Sequence, residues 1–299
     1  MIYDTIIIGA GPSGMSAALY LARYGRKALI IAGFGSIGGQ LLSTEYIENY
    51  IGVGKISAPM LALNMKSQIE DFRELITVKE EEAVNIKLTD SNEYIVDSTF
   101  GESFKGKTIL FATGATYRHL GIEREDEFAS YCATCDADFH IGKDVVVVGG
   151  GESAFEEAEI LSRQSKSVRI VHRRDVFRAS HAAQQRLQER DNISISTFTN
   201  VEEITSGGNL ILVGPNGKEE VKSSLFVAIG QTPNTQIIKD SSLEKTLLTD
   251  DGYIINNNPT EGFYACGDVV SGNHKQVSVA VGDGAKVAIE IDKFLTEKG

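Results

Sequence analysis

The chain has 299 residues, enough for two domains of ordinary size, and 42% hydrophobic with 23% charged residues is typical of a globular protein with a substantial core. Its formal net charge of −12 argues against nucleic acid or an anionic membrane as a partner. Three cysteines do not make a secreted disulfide framework. The first apolar run follows no basic region and is too short for a signal peptide or membrane span, so we expect a cytoplasmic protein.

The first predicted elements are a strand, a glycine-rich turn, a helix and a second strand, over residues 4–32 (DTIIIGAGPSGMSAALYLARYGRKALIIA). Gly9, Gly11 and Gly14 form a GxGxxG pattern, which allows a tight turn, close approach of a pyrophosphate and close packing of helix on strand. The helix N-terminus then offers free N–H groups to the phosphates. A ribose-binding acid usually ends the second strand, but this strand ends LIIAGFG, with no carboxylate before Glu45.

A helix and a group of short strands are predicted next. The helix covers about 58–74, with Ser57 as its N-cap and Pro59 in the first turn. Residues 76–111 are predicted to form the short strands, the last of which runs into KTILFATGA.

A second strand, glycine turn, helix and strand are predicted over residues 144–172 (DVVVVGGGESAFEEAEILSRQSKSVRIVH). Gly149, Gly151 and Ala154 form the GxGxxA variant of the motif. Its second strand ends at His172, followed by arginines where an NADH site would have an acid. Those arginines suit the 2′-phosphate of NADPH, although a solvated basic helix start is an alternative. They are Arg173, Arg174 and Arg178.

Both copies are βαβ units, so the fold class predicted is α/β with parallel sheets. Further strands are expected at NISIS and SLFVAIG, and the chain closes with GFYACGDV and a helix at about 277–296. One such motif is a weak signal. Two in one chain, each in the required strand–turn–helix context, indicate an enzyme that passes electrons between two dinucleotides.

Two of the cysteines, Cys132 and Cys135, lie in YCATCDADF just before the second motif. A structural zinc would need four ligands; Cys266 lies 131 residues on, and His119 and His140 have no recognisable spacing. We therefore expect no metal, and a redox-active disulfide fits better than an accidental pair of thiols. Asp136 is adjacent and is predicted to move protons to and from the sulfurs, the alternative being a solvated turn carboxylate or a cap.

These motifs together resemble the low-molecular-weight thioredoxin reductases of the pyridine nucleotide-disulfide oxidoreductase family, over essentially the whole chain. The motifs that carry the resemblance are GAGPSG (9–14), GGQL (38–41), ENY (48–50), ATGA (112–115), CATCD (132–136), GGGESA (149–154), HRRDVFR (172–178), AIGQTPNT (228–235), GDV (267–269) and KQV (275–277). The resemblance implies two Rossmann-like, three-layer ββα domains. A discontinuous FAD domain would comprise residues 1–115 and 241–299, with an NADPH domain carrying the disulfide at 116–240.

The resemblance also implies the cofactors, FAD and NADPH, and the residues that bind them. The FAD residues would be Gly9, Gly11, Pro12, Ser13, Gly14, Gly38, Gly39, Gln40, Leu41, Asn49, Thr113, Gly114, Gly267, Asp268, Lys275, Gln276 and Val277. The NADPH residues would be Gly149, Gly151, Glu152, Ser153, Ala154, His172, Arg173, Arg174 and Arg178. Asp268 would hold the ribityl or phosphate portion, and residues 275–277 would lie near the isoalloxazine.

In the mechanism that the resemblance implies, NADPH reduces FAD, FAD reduces the Cys132–Cys135 disulfide, and this pair reduces thioredoxin. Cys135 would face the flavin and Cys132 would attack the partner's disulfide. The inserted domain would rotate about connections near 115–118 and 238–242. A homodimer is also implied.

The residues after CATCD depart from the family pattern, because Ala137, Asp138, Phe139 and His140 stand where a glycine and aromatics are usual. This leaves open whether the partner is thioredoxin or another small redox protein. Phe139 is predicted to be either a docking anchor or a core aromatic, and Cys266 a buried, inert residue. Two further alternatives are a peroxide-forming NAD(P)H oxidase and a non-enzymatic flavin-binding protein with structural cysteines.

Overall fold

The computed structural model describes residues 1–239, 241, 248–255, 261–272 and 274–298. The chain forms two compact units: Met1–Thr116 with Thr232–Gly299, and Tyr117–Gln231. The second boundary predicted from the sequence, between 240 and 241, involves residue 240, which lies outside the described residues. Part of the predicted connection at 238–242 lies outside them as well.

The described chain contains single strands between helices and also longer runs of consecutive strands. The strands are β1 (Ile2–Ile8), β2 (Ala28–Ile31), β3 (Tyr46–Ile47), β4 (Ile56–Ser57), β5 (Ile76–Lys79), β6 (Ala83–Leu88), β7 (Tyr94–Ser98), β8 (Ser103–Phe111), β9 (Ala115–Tyr117), β10 (Ala129–Ser130), β11 (Asp144–Val148), β12 (Ser167–Val171), β13 (Ile193–Ser196), β14 (Asn200–Ile204), β15 (Leu210–Gly214), β16 (Gly217–Val221), β17 (Ser224–Val227), β18 (Gln231–Pro233) and β19 (Phe263–Ala265).

The α-helices are α1 (Pro12–Arg23), α2 (Ala58–Glu70), α3 (Glu125–Phe128), α4 (Ala133–Asp136), α5 (Glu152–Ser162), α6 (His181–Gln188), α7 (Gln236–Lys239) and α8 (Val277–Lys298). Short 3₁₀ turns cover Gly39–Ser43, Ala137–His140 and Gly267–Val269. The chain crosses between the units in β9 and β18, which pair with each other.

The sheet of the first unit has the order β5-β2-β1-β8, with all four strands parallel. The long strand β8 divides its outer edge: Ser103–Gly106 pairs antiparallel with β7, and Ile109–Phe111 pairs parallel with β19. Strands β6 and β7 extend the antiparallel part. The carboxyl ends of β1, β2, β8 and β19 therefore lie along one edge, where open α/β sheets bind their ligands.

Both faces of this sheet are buried. Ile7 and its neighbours pack on the side of helices α1 and α8, whereas Ile6 and Ile8 pack against Tyr94 and Val96 of the antiparallel layer. A strand buried on both faces must be apolar at successive positions, and the runs III at 6–8 and LII at 29–31 reflect this need. The resulting layers are helix, parallel sheet and antiparallel sheet.

The second unit repeats the arrangement with the parallel order β10-β17-β11-β12-β13. Val145 and Val147 face helix α5 at Phe155, while Val146 and Val148 face the antiparallel strands β14–β16. The predicted α/β class with two Rossmann-like, three-layer units is confirmed.

Two helix boundaries differ from the sequence prediction. Helix α2 ends at Glu70 and not near 74, because the chain turns where the N–H of Phe72 bonds to Ile69 O at 3.0 Å. Ser57 occupies the N-cap position, but its side chain makes no capping hydrogen bond. The last helix runs to Lys298. Within the described part of the chain, no helix combines the length and hydropathy needed to cross a membrane.

Candidate functional site: two dinucleotide cradles and a cysteine pair

Three glycines lie in the turn from β1 into α1. At Gly9 and Gly14 the packing leaves no room for a side chain, whereas the space beside Gly11 is open. A Cβ on Gly9, which has φ +109°, would lie 2.3 Å from the carbonyl oxygen of Ala112, and one on Gly14 would lie 2.1 Å from that of Gly9. A Cβ on Gly11 would meet nothing within 4 Å. Helix α1 begins at Pro12 without a side-chain cap. Its first N–H groups therefore face an open surface that a pyrophosphate can approach.

The GGQL turn lies directly beside this cradle. The N–H of Gly38 donates to Ala10 O at 2.9 Å, and a Cβ on Gly39 would lie 3.1 Å from Gly11 Cα. The side-chain amide of Gln40 donates to Ala115 O and lies 3.5 Å from Asp268 Oδ2. Leu41 is buried beneath the turn. The second glycine turn thus packs against the first.

The GDV turn reaches the same place from the end of β19. Gly267 has φ +75°, and a Cβ there would lie 2.6 Å from Ser13 Oγ. Burial raises the pKa of Asp268 to about 6, with Lys275 lowering it and Asp283 raising it further. The neighbouring Cys266 is buried, as predicted, and burial raises the pKa of its thiol to about 12. Such a thiol stays protonated and unreactive.

The ATGA segment and the start of α8 complete the first cradle. The hydroxyl of Thr113 is buried without a hydrogen-bond partner, which leaves a polar atom for a ligand to satisfy. Asn49 Nδ2 donates to Gln276 Oε1 at 3.0 Å, and Lys275 Nζ donates to the hydroxyl of Tyr253 at 2.8 Å.

The remaining predicted flavin residues take up neighbouring positions. They are Gly114, in the left-handed region at φ +68°, and Val277, which begins α8. The structure thus gathers the predicted FAD residues of the first unit at one edge of its sheet.

The second cradle has the same construction. A Cβ on Gly149 would lie 2.4 Å from Ala228 O and 2.6 Å from Ala154 Cβ, so the alanine fills the space that a third glycine leaves in the first cradle. At Gly151 the nearest atom to such a Cβ is a guanidinium nitrogen of Arg178, at 4.0 Å. Ser153 is exposed in the first turn of α5.

A carboxylate stands at the mouth of this cradle. Glu152 begins α5 and accepts hydrogen bonds from Ser180 N at 2.7 Å and Ser180 Oγ at 3.0 Å. These bonds lower its pKa and fix the side chain to the N-cap of α6.

His172 and the three arginines border the second cradle. The imidazole of His172 would contact a Cβ on Gly150 at 2.4 Å, and its Nε2 pairs with Val176 O at 3.2 Å. Burial lowers the pKa of His172, and the positive charges of Arg173, Arg174 and Arg178 lower it further. Arg178 therefore lies beside the open glycine, and Arg173 and Arg174 add positive charge around His172. This is the arrangement that a 2′-phosphate requires.

Cys132 and Cys135 form a disulfide in the second unit, with Cα atoms 5.3 Å apart. Cys132 is the N-cap of α4, a single turn that also carries Cys135 and Asp136. Ser130 Oγ donates to Asp136 Oδ2 at 2.6 Å and accepts from the N–H of Cys132 at 3.3 Å. A hydrogen-bonded path therefore joins the backbone of one cysteine to the carboxylate beside the other.

The residue before the pair is held by a separate network. The hydroxyl of Tyr131 lies 2.8 Å from His119 Nδ1 and donates to Glu125 Oε1 at 3.0 Å. Glu125 is buried and also accepts from the backbone N–H groups of Leu120 and Gly121. This network fixes the segment that leads into Cys132.

The residues after the pair lie at the surface or are held by other contacts. Phe139 is 38% exposed, which favours the docking alternative over the core alternative. His140 pairs with Ser224, and Asp138 is exposed. Among the residues that the structure describes, no three His, Cys, Asp or Glu side chains are placed to hold a metal ion.

Sequence reasoning missed three residues that shape these sites. Ser130 supports Asp136, Asn234 bonds to the backbone of Thr113 and Gly114, and Tyr253 accepts from Lys275. Asn234 lies in the motif AIGQTPNT, so the sequence did indicate that it belongs to the site. Ser130 and Tyr253 lie in no motif.

Comparison with known proteins identifies the family. Residues 3–284 match the family described as pyridine nucleotide-disulphide oxidoreductase. The chain is 38% identical to a thioredoxin reductase of Streptomyces clavuligerus, over 98% of this chain and 94% of that one. It is 34% identical to a thioredoxin reductase of Bacillus subtilis, with 99% and 95% covered. A crystal structure of thioredoxin reductase from Streptococcus pyogenes superposes with TM-score 0.88 at 35% identity, covering 99% of each chain.

The chain belongs to the pyridine nucleotide-disulphide oxidoreductase family. It is an NADPH-dependent disulfide oxidoreductase, and its cofactors are FAD and NADPH. The residues of the two cradles fit these two cofactors. The first cradle offers an open glycine, uncapped N–H groups and the unpaired Thr113 hydroxyl. The second has Arg178 beside its open glycine, with the charges of Arg173 and Arg174 around His172.

Proposed function

We propose that the chain is a thioredoxin reductase in which the first unit holds FAD and the second holds NADPH. The observation that carries the proposal is the closed Cys132–Cys135 pair, in the same unit as an arginine-bordered dinucleotide cradle. When bound, FAD accepts the electron pair of NADPH and passes it to a disulfide.

The first cradle supplies binding and orientation for the flavin. Gly11 and the N-terminus of α1 take the pyrophosphate, and Asp268 takes the ribityl or phosphate portion. Lys275 and Gln276 precede α8, which begins at Val277 and whose positive dipole end would favour negative charge on a reduced isoalloxazine. The second cradle takes the pyrophosphate of NADPH at Gly151 and the 2′-phosphate at its arginines.

The cysteine pair carries the electrons to the protein substrate. Cys135 takes the flavin-facing role, and the thiolate of Cys132 attacks a disulfide sulfur of thioredoxin to form a mixed disulfide, which Cys135 then resolves. Asp136 protonates the sulfur that leaves and takes the proton back when the next thiolate forms. Ser130 holds the Asp136 carboxylate in place through its 2.6 Å hydrogen bond.

A substrate assay tests the proposal. The purified enzyme is supplied with NADPH and an oxidised thioredoxin, and NADPH oxidation is followed together with oxygen uptake. Thioredoxin-dependent turnover without matching oxygen uptake supports the proposal. Oxygen uptake that accounts for all the NADPH would identify a peroxide-forming oxidase, and turnover with a glutaredoxin-like protein alone would identify another carrier.

The same proposal includes a homodimer, for which the first unit offers an apolar surface. Met60 and Leu63 lie on one side of α2 and are each about half exposed. Leu42, on the 3₁₀ turn that packs against α2, is also exposed, and Ile51 of the same unit is 96% exposed. Exposed apolar groups of this kind favour self-association. Light scattering coupled to gel filtration checks the assembly, and a monomeric mass would refute it.

The compartment proposed is the cytoplasm. An NADPH-driven disulfide reductase keeps a dithiol partner reduced, and the cytoplasm is the reducing compartment where such dithiols persist. Fractionation of the source cells with an antibody against the chain tests this placement.

A further inference from the structure

A carboxyl group on α5, the helix against which α4 packs, has no part in the function proposed above. Glu157 projects from the middle of the helix, and its Oε2 is buried without a hydrogen-bond partner. Burial raises its pKa to about 8, and the negative charges of Glu156 and Asp136 raise it further. A buried polar atom without a partner destabilises the fold, so its presence on a helix that packs against the redox turn calls for a functional reason.

The packing connects this carboxyl group to the cysteines. Helix α4, which carries Cys135 and Asp136, packs directly on α5. Asp136 is close enough to Glu157 for its charge to raise the pKa of Glu157. Asp136 is in turn joined to the backbone of Cys132 through Ser130. The order of groups is therefore Glu157, Asp136 and then the disulfide.

Other charged groups on the elements around α5 have partners of their own. Arg186 of α6 and Arg190 just after it form ion pairs with Glu159. The charged groups of β11 and β12 pair with Lys166, Ser167, Ser196 and Glu219. On the 3₁₀ turn after α4, Asp138 is exposed and His140 pairs with Ser224. Glu156 and Asp136 are thus the charges that act on Glu157.

We propose that Glu157 stores the proton that Asp136 needs, and so acts through Asp136 as a positioning residue for the disulfide chemistry. Two electrons from NADPH break the Cys132–Cys135 bond and leave two sulfur anions. Glu157 gives its proton to the Asp136 carboxylate and becomes charged, and Asp136 passes that proton to one sulfur anion and returns to a carboxylate. The other sulfur stays a thiolate, and uptake of a proton from solvent restores the neutral Glu157. This step rests on the proposed function.

A neutral Glu157 has a second effect on the same groups. While it holds its proton, it places no charge near Asp136, so a single negative charge occupies the pair of carboxyl groups. Above pH 8 both are charged, and the added negative charge raises the pKa of the nearby thiols. The ionisation of Glu157 should therefore be visible in the reactivity of the cysteines.

Thiol reactivity of the NADPH-reduced enzyme tests the inference. Alkylation by iodoacetamide is measured anaerobically from about pH 6 to about pH 10 for the wild type, Glu157→Gln and Glu156→Gln. The wild type should show, besides the thiol titration, an inflection near pH 8. Glu157→Gln should lose that inflection, and its kcat at pH 7 should fall about tenfold with KM for the partner unchanged, because a positioned proton donor has been removed.

Glu156→Gln is the matched control, because it removes the exposed neighbouring carboxyl group and leaves Glu157 in place. It should keep the inflection, moved to lower pH. If the profile of Glu157→Gln superimposes on that of the wild type, the inference is wrong.

An infrared measurement on the wild type keeps the inference testable even if Glu157→Gln does not fold. The oxidised enzyme should show the carbonyl band of a protonated carboxyl group at pH 7, lost as the pH rises through 8. Absence of this band at pH 7 overturns the inference. This test needs no turnover, so it separates the inference from the proposed function, whose own failure would appear as a wild type that NADPH does not reduce to two thiols.

Discussion

Two glycines on the last helix should respond in opposite directions to the same substitution. A Cβ on Gly284 would lie 2.1 Å from the backbone carbonyl oxygen of Ser13, in the first turn of α1. Real Cβ atoms essentially never come within 3.0 Å of another atom, so α8 and α1 would have to move apart by about 0.9 Å. Gly282 lies two residues earlier on the same helix, is exposed, and has no atom within 4 Å of its Cβ position.

The magnitudes follow from these distances. Alanine gains about 1 kcal/mol over glycine in a helix interior at either position. At Gly284 that gain opposes an overpacking cost of about 3 kcal/mol, at the upper end of the usual range because a backbone carbonyl cannot rotate away. Gly284→Ala should therefore lose about 2 kcal/mol, which lowers Tm by about 4–8 °C. Gly282→Ala should raise Tm by about 2–4 °C.

Thermal unfolding followed by circular dichroism, with and without added FAD, measures both variants. Gly284→Ala should also retain less FAD than the wild type through gel filtration, because the displaced Ser13 belongs to the cradle. Gly282→Ala should retain FAD normally. If both substitutions raise Tm, or both lower it, the packing argument for the contact between α1 and α8 is refuted.

Three further predictions concern the site. Cys132→Ser should abolish disulfide reduction while NADPH still bleaches the flavin absorbance, and Cys266→Ala should keep full activity; equal activity in both would contradict the assignment. Arg178→Ala should raise KM for NADPH at least tenfold and leave KM for NADH nearly unchanged, since a charged hydrogen bond is worth about 1.5–3 kcal/mol. Burial raises the pKa of Asp268 from 3.8 to about 6, so the flavin-free protein should lose stability as the pH rises from about 4 to 6. Asp268→Asn should remove that loss, roughly 2–3 kcal/mol in chemical denaturation, whereas an unchanged pH slope would show that Asp268 is not buried.

The two cradles could be predicted from the sequence because their constraints are local. Gly9 and Gly14 are set against backbone atoms of the same turn or the adjoining strand, and any Cβ would collide there. A strand, a glycine turn and a helix in succession therefore specify the site almost completely. The open position at Gly11 follows from the same pattern.

Other features depend on contacts distant in sequence and could not be predicted. Ser130 supports Asp136 only because β10 pairs with β17 and brings the segment before α4 into place. Helix α2 ends at Glu70 because the chain must turn there to enter β5. No glycine or proline in the sequence between the two elements marks this turn. Glu157 did carry a signal: it follows Ala154 by three residues and precedes Leu161 by four, which places it on the buried face of α5.

One measurement tests the central claim most directly. The oxidised enzyme is mixed anaerobically with one equivalent of NADPH, quenched with a thiol-alkylating reagent and mapped by mass spectrometry. We predict two newly alkylated cysteines, Cys132 and Cys135, with Cys266 unmodified until the protein is unfolded. If NADPH bleaches the flavin but no new thiol appears at those two positions, electrons do not reach the disulfide, and the reductase assignment is contradicted.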